Sequence, residues 1–421
     1  MARLALSLLS VAIKPMINAN AKMMFEKPLS APVNQNNNKS LSIARHVDAG
    51  DVQKNVLVAL NYSVMSINLF NFIEPPNAYY DFENIYTDQQ WQKKCHWLKQ
   101  FIAKHQPDII GFQEVFSPDA LAELVNELGY VHFAVLDKPE VQNDYVYRHP
   151  VVALASRYPI VDMANVAVDK AATTVLGLAD FNFSRMPLRA TVELPQFGRC
   201  DCYVIHLKSK RSGLDKIDFA DSGATGAADF VVRQVLGRWA SSIQRGNEAT
   251  LLCQQMLLRR HSKGYPFILM GDFNDHLRSD LFAAFNQHLR VYRSDIDDGH
   301  LKGLSESQLM AELNQFLIYD SYELYKTASK NNVTLAFDEF ESVSYNNAPT
   351  ESPRPATHYY GSTGSVLDYI LVSSEFDPKQ LKNLAHIDEY QTFDRHLVRP
   401  DYDRDSDSTD HAPVMMRFSL R

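Results

Sequence analysis

Short apolar runs that end in polar residues recur along this chain, with helix-like stretches between them. Residues 61–68, 108–112, 151–155, 189–194, 202–205, 266–271, 366–372 and 413–418 are each apolar enough for a largely buried strand. Trp91, Cys95, Leu98, Phe101 and Ile102 fall at helical spacing and predict a helix over 91–105 that stops before Pro107. Leu121, Leu124, Val125 and Leu128 predict a second helix, opened by Pro118 and ended by Gly129. Residues 189–194 and 202–205 read as a hairpin pair, and a long helix-like segment covers 227–260. Residues 294–355 are polar, acidic and weakly periodic, which predicts loops and short helices with one or two strands. The chain shows no internal repeat.

The polar residues at the strand ends are not scattered at random. Four strands carry theirs at the C-terminal end: Asn68, Glu114, His206, and Asp272 with Asn274. Two carry theirs at the N-terminal end: Asp368 opens one strand, and Asp410 with His411 precedes the last. If the first four run one way and the last two the other, all of these groups meet on one rim. That arrangement needs mixed or antiparallel sheets with helices outside them, a layered sandwich. In the stretch 266–275, alternation along a strand sends Asp272 and Asn274 to the same side. Taken alone, this segment is equally an Asx turn closing a strand.

Composition narrows the chemistry. The chain has 421 residues, 45% hydrophobic and 22% charged, with a net charge of −8 and a pI near 6.0. A protein that grips polyanions by bulk charge is usually basic. A phosphate-bearing substrate would therefore need a local basic patch, a bound cation, or both. Four cysteines are too few and too scattered for a disulfide framework, and Cys200 and Cys202 read as small core residues. The strand-end set contains at least four carboxylates, two histidines and two asparagines, and no cysteine. Oxygen-rich donors suit Mg²⁺, with Mn²⁺ and Ca²⁺ as alternatives, over zinc. Such a set supports metal-assisted attack of water on a phosphoester.

The N-terminus predicts export. Arg3 precedes an apolar run over residues 4–13, and Ala19-Asn20-Ala21 fits a small-x-small cleavage site, although Lys14 and Pro15 interrupt the pattern. Residues 1–21 are read as a signal peptide, 22–55 as a polar linker and 56–421 as the folded domain. A secreted or periplasmic location follows from that reading; without cleavage the location would be cytoplasmic. No segment is long enough to insert stably in a membrane.

From about residue 56 to the end, the chain resembles the endonuclease/exonuclease/phosphatase superfamily, the fold of pancreatic deoxyribonuclease. The motifs occur in order: Ser66-Ile67-Asn68, Gly111-Phe112-Gln113-Glu114, Ser156-Arg157-Tyr158-Pro159-Ile160, Ser184-Arg185-Met186-Pro187, Val204-Ile205-His206, Gly271-Asp272-Phe273-Asn274, Leu367-Asp368-Tyr369-Ile370, and Thr409-Asp410-His411-Ala412-Pro413. Each is weak alone; their order is specific. His206-Leu207-Lys208-Ser209-Lys210 and the helix bearing Arg245 and Glu248 resemble the bacterial nuclease-type branch.

The resemblance implies an α/β (α+β) fold, a four-layer α/β/β/α sandwich with two mixed, mainly antiparallel sheets. It implies a metal-dependent phosphodiesterase, a nuclease of low sequence specificity acting as a monomer, with DNA favoured over RNA. The alternative is the same chemistry on a lipid or small-molecule phosphoester. It makes Glu114 the principal metal ligand, with Asn68 near the metal or on the phosphate and Asp410 as a further ligand. His411, oriented by Asp368, and Asp272 share the work on the attacking water, in a division that the likeness leaves open. Asn274 and His206 hold the phosphoryl oxygens. Arg185 sits where the family places a phosphate-contacting Arg; Lys208, Lys210 and Arg211 read, from the residues themselves, either as a solvated strand exit or as a substrate-binding phosphate track beside the site. His358-Tyr359-Tyr360 is read as hairpin packing in preference to a base-stacking platform.

Overall fold

A computed structural model describes residues 60–212, 226–285, 292–337 and 354–421, without the side chains of 330–337. Residues 1–21 and 22–55, expected to be a signal peptide and a polar linker, lie outside the described residues. Twelve strands form two six-stranded sheets. They are β1 (Asn61–Phe72), β2 (Ile109–Val115), β3 (His132–Ala134), β4 (Val151–Ser156), β5 (Ile160–Asn165), β6 (Leu188–Leu194), β7 (Gly198–His206), β8 (Phe267–Asp272), β9 (Tyr319–Asp320), β10 (Asp368–Val372), β11 (Ala385–Thr392) and β12 (Val414–Leu420).

The first sheet has the order β11-β12-β1-β2-β4-β3 and the second β9-β10-β8-β7-β6-β5. Each contains one parallel pair at its centre, β1 with β2 and β7 with β8, and all its other pairings are antiparallel. The two sheets thus repeat one plan: a parallel pair whose C-terminal ends carry polar groups, flanked by an antiparallel strand that starts beside them. This is the direction rule that the strand-end residues called for.

Alternation along the strands builds the layers. Tyr62 and Val64 of β1, Cys202 and Val204 of β7, Ile268 and Met270 of β8, and Ile370 and Val372 of β10 pack together between the sheets. Met65 and Ile67 point outward and meet Trp97, Leu98, Leu121 and Val125 of two helices, α1 (Asp88–His105) and α2 (Pro118–Glu127). On the far side, Leu269, Tyr203 and Tyr369 meet Leu252, Cys253 and Met256 of the long helix α3 (Gly226–Lys263). The result is a four-layer α/β/β/α sandwich. Cys200 and Cys202 fill the inter-sheet core.

Gly111 and Gly271 sit at close approaches within the sandwich. A Cβ on Gly111 would lie 2.7 Å from the Met270 side chain of the facing sheet. A Cβ on Gly271, at φ +148°, would lie 2.0 Å from the Ile205 carbonyl oxygen of the neighbouring strand.

Helix α1 begins three residues earlier than the apolar spacing predicts. Thr87 and Gln90 form a capping box, in which Gln90 N donates to Thr87 Oγ1 at 3.2 Å and Thr87 N donates to Gln90 Oε1 at 2.9 Å. In the weakly periodic region the described residues form short helices at Gly299–Gly303 and Glu306–Asn314, strand β9, and a longer helix, Ser321–Phe337.

Candidate active site

The inward parity of the core continues to the rim. Asp272, His206 and Asp368 share the faces of Ile268, Val204 and Ile370, so each ends a core-facing row. Asn68 does the same on β1. Asn68, His206, Asp272, Asp368 and His411 are all nearly or fully buried. Buried polar groups of this density need one another as partners.

Asp272 is their hub. Its Oδ1 accepts from Asn274 N at 2.7 Å. Its Oδ2 accepts from Asn68 Nδ2 and from Asn274 Nδ2, each at 3.2 Å, and lies 3.6 Å from His206 Nε2 and 3.9 Å from His411 Nε2. Asn274 adopts φ +56°, a turn conformation that asparagine tolerates, and its amide also donates to Leu207 O at 3.0 Å. Burial pushes the Asp272 carboxyl up to about 7 against the pull of His411.

His411 is fixed at several points. Its Nδ1 pairs with Asp368 Oδ2 at 2.8 Å. Its backbone N donates to Thr409 Oγ1, Thr409 donates to Asn68 O, and its carbonyl meets His396 Nε2 at 3.0 Å. Burial alone would lower its pKa, but the carboxylates of Asp368 and then Asp272 outweigh burial and hold the imidazole well above its usual value. Asp368 is itself positioned by Thr357, whose Oγ1 accepts from the backbone N of Leu367 and Asp368. His206 is the opposite case. Burial, then Arg185, push it well below the ordinary value, so it is neutral, and the 3.6 Å approach to Asp272 is not an ion pair.

Glu114 reaches the rim through a bulge. The register of β2 slips between Phe112 and Val115, and Glu114 sits at φ +59°, a conformation rare for a long side chain. Its Oε2 accepts from Asn71 N at 2.9 Å, and Oε1 lies 3.5 Å from Asn68 Nδ2. Asn71 is likewise left-handed, at φ +57°, where β1 slips its own register. Asn68 turns its amide nitrogen toward Glu114 and Asp272 while its oxygen accepts from Phe70 N. That orientation suits a phosphate or a water better than direct metal ligation.

Asp410 lies at the side of this cluster. Its Oδ1 is buried without a hydrogen-bond partner. Glu114 bears electrostatically on both Asp272 and Asp410. Their oxygen donors, with one buried oxygen unsatisfied, fit a hard divalent cation.

A basic side faces the carboxylates. Arg185 and Lys208 both bear on His206, and Arg185 and Arg211 both bear on Tyr80. Helix α3 holds this side in place through two buried charges. Glu248 accepts from Ser184 N and Lys208 N, each at 2.7 Å. Arg245 donates to Lys208 O at 2.9 Å and to Asp275 Oδ2 at 3.2 Å. Lys210 does not face the site as an open cation: its ammonium pairs with Asp275 Oδ1 at 2.8 Å.

Sequence reasoning missed Lys94 and Thr357 and undervalued His358. Lys94 is buried, donates to Ser408 O at 2.8 Å, and lies over the Phe70 and Tyr86 rings at 5.6 and 5.5 Å. Burial lowers it to about 8 against the pull of Asp410 and Glu114. Its signal was a lysine on the apolar stripe of α1, between Trp91 and Leu98. Thr357 gives no such signal, because its role is defined only by the fold. His358 belongs to a hairpin, as read, but its ring also lies 4.9 Å from that of His411.

The Endonuclease/Exonuclease/phosphatase family model matches residues 95–411. No curated protein matches the chain in sequence. Among solved structures, the human nocturnin catalytic domain with bound sulfate is similar at 18% identity, covering 86% of this chain and 97% of its own, with a TM-score of 0.46. An endonuclease/exonuclease/phosphatase from Beutenbergia cavernae DSM 12333 is similar at 15% identity, over 86% of this chain and 72% of its own, with a TM-score of 0.42. A humanized D. rerio TDP2 is similar at 12% identity, over 85% and 98%, with a TM-score of 0.43. The family match spans well over half of the chain, from α1 to His411, and takes in Glu114, Asp272 and Asp368; the chain belongs to the endonuclease/exonuclease/phosphatase family, whose members hydrolyse phosphoester bonds.

Proposed function

We propose that the protein is a metal-dependent phosphodiesterase that hydrolyses nucleic-acid phosphodiester bonds, a nuclease of low sequence specificity with DNA as its preferred substrate. The observation that carries this reading is the position of the basic groups. In a chain of net charge −8, Arg185, Lys208 and Arg211 gather on one side of the buried acid and imidazole cluster. That placement provides a short phosphate track beside the reacting centre without a basic protein surface.

The residues divide the work by charge. Asp272 Oδ2, raised in pKa and ringed by donors, holds the attacking water and takes its proton. His411, kept as an imidazolium by Asp368, stabilises the phosphoryl oxygens as charge builds, together with neutral His206, Asn274 and Arg185. A divalent cation held by Glu114 and Asp410, with Asn68 contacting it through water, would neutralise charge on the phosphoryl and leaving oxygens. Mg²⁺ is the proposed ion, with Mn²⁺ and Ca²⁺ as alternatives. The proposal includes a monomer exported through the leader at 1–21, which the N-terminal residue of the mature protein tests.

A substrate panel decides the reading: duplex and single-stranded DNA, RNA, a choline phospholipid and an inositol phosphate, each with Mg²⁺, Mn²⁺, Ca²⁺ or EDTA. The expected result is DNA cleavage that EDTA abolishes. Hydrolysis of the phospholipid or the inositol phosphate, with DNA untouched, would overturn the nuclease reading.

A further inference from the structure

His358, Asp410 and His411 form a second group beside the oxygen cluster around Glu114 and share Asp410 with it. One ligand atom from each lies within 4.8 Å of the others, and His358 Nε2 is 4.0 Å from Asp410 Oδ2. The grouping is built into the backbone. His358 and His411 face each other across an antiparallel bridge, and Ala412 N donates to Thr357 O at 2.6 Å, so the hairpin His358–Tyr360/Thr363–Ser365 is fixed beside the segment before β12. Nothing in the hydrolysis derived above uses His358.

We propose that these three residues form a second cation site, one that takes Zn²⁺ and in doing so withdraws His411 from the reaction. Four observations carry it. Two imidazoles and one carboxylate are the donor set of a tetrahedral zinc site with an open fourth position, and a poor set for Mg²⁺. Asp410 Oδ1 is buried and lacks a hydrogen-bond partner. His411 Nδ1 is engaged by Asp368, which leaves Nε2 as the ligating atom and makes Asp368 the outer carboxylate of a carboxylate–histidine–zinc triad. The gap to be closed is modest, since ligand atoms around zinc at bond lengths of about 2.0–2.2 Å lie roughly 3.4 Å apart.

The inhibitory consequence rests on the assignment of His411 to hydrolysis; zinc binding itself does not. Asp410 is shared with the oxygen cluster, so zinc and the Mg²⁺-type ion compete through that residue as well.

The test separates the two levels. Zinc binding is measured by calorimetry, and coordination by the visible absorption of Co²⁺ in its place, on the full chain and on His358→Ala and His358→Gln. His358 is partly exposed and its ring is not part of the core, so both variants should fold, which circular dichroism checks. The wild-type protein should bind Zn²⁺ and give the intense bands of tetrahedral Co²⁺; both variants should lose the bands and bind Zn²⁺ at least about tenfold more weakly. In the Mg²⁺-supported assay, micromolar Zn²⁺ should inhibit the wild type, and the variants should keep the basal rate within about twofold while the inhibitory concentration rises about tenfold or more. Equal zinc affinity in wild type and variants, or no tetrahedral Co²⁺ spectrum from the wild type, overturns the site. Loss of hydrolysis on every substrate would overturn the proposed function and leave the calorimetric result standing.

Discussion

At the scale of single residues, the site is organised by one carboxylate that would not choose its surroundings in isolation. Asp272 is fully buried, close to a second acid, and stabilised only by amides and by His411. Its proton affinity is therefore raised, which gives a signed prediction. In the unfolded chain this group ionises near 3.8, and in the folded protein near 7. As pH rises through that window the unfolded chain loses the proton first, so the metal-free folded state loses stability. His411, also raised, adds stability at low pH that is lost as pH climbs through its folded value. Buried neutral His206 acts in the opposite sense across part of this range, so the effect is read as a difference: in EDTA, between about pH 5 and pH 8, the melting temperature of Asp272→Asn should fall less, or rise more, than that of the wild type. The same pH dependence in wild type and Asp272→Asn would show that Asp272 is not held as described. The identities of Asp272, Asn274, Asp368 and His411 were legible in the sequence, because each closes or opens an apolar run. The left-handed backbone that aims Glu114 was not, since nothing in Phe112-Gln113-Glu114-Val115 reports a bulge. Lys210 looked like a phosphate contact by composition, and only the fold reveals Asp275 as its partner.

At the scale of elements, strands place the groups proposed to react and helix α3 holds the groups proposed to bind substrate. Gly271 lets β8 pass the Ile205 carbonyl just before Asp272. Gly271→Ala should cost at least about 3 kcal/mol, read as a shift in the denaturant midpoint, because both the contact and the φ of +148° forbid a side chain. Glu248 ties the backbones before Arg185 and at Lys208 to one buried carboxylate. Glu248→Ala should destabilise by about 2–4 kcal/mol through the charge-assisted bonds it loses to Ser184 N, Lys208 N and Gln244 Nε2. It should also raise KM for DNA more than it lowers kcat, since it displaces binding groups and leaves Asp272 and His411 in place. Steady-state kinetics beside a urea titration would check both parts. Helices α1, α2 and α3 and most strands followed from periodicity, with ends off by a few residues where a cap such as Thr87–Gln90 decides; the edge strand β11 did not. The region 294–355 resisted because its helices are short and polar, and part of it lies outside the described residues.

At the scale of the whole molecule, two sheets of the same plan face each other, and each contributes half of the rim. Asn68, Glu114 and His411 come with the first sheet, and His206, Asp272 and Asp368 with the second. In the proposed mechanism neither half acts alone. Among the described residues no helix is long and apolar enough to cross a membrane. In the proposed reading, a chain of net charge −8 makes its phosphate contacts through the cluster of Arg185, Lys208 and Arg211. DNA cleavage at low substrate should therefore fall with salt with a logarithmic slope of only about −2 to −3, set by about three contacts. A slope near −8 would mean a much longer basic track than the one described.

The most direct measurement is single-turnover cleavage of a DNA duplex in saturating Mg²⁺ by the wild-type protein, Asp272→Asn and His411→Ala. Rates lower by about 10²–10⁴-fold in each variant, with DNA affinity within a few fold of wild type, are predicted. Cleavage by either variant at the wild-type rate would contradict the account.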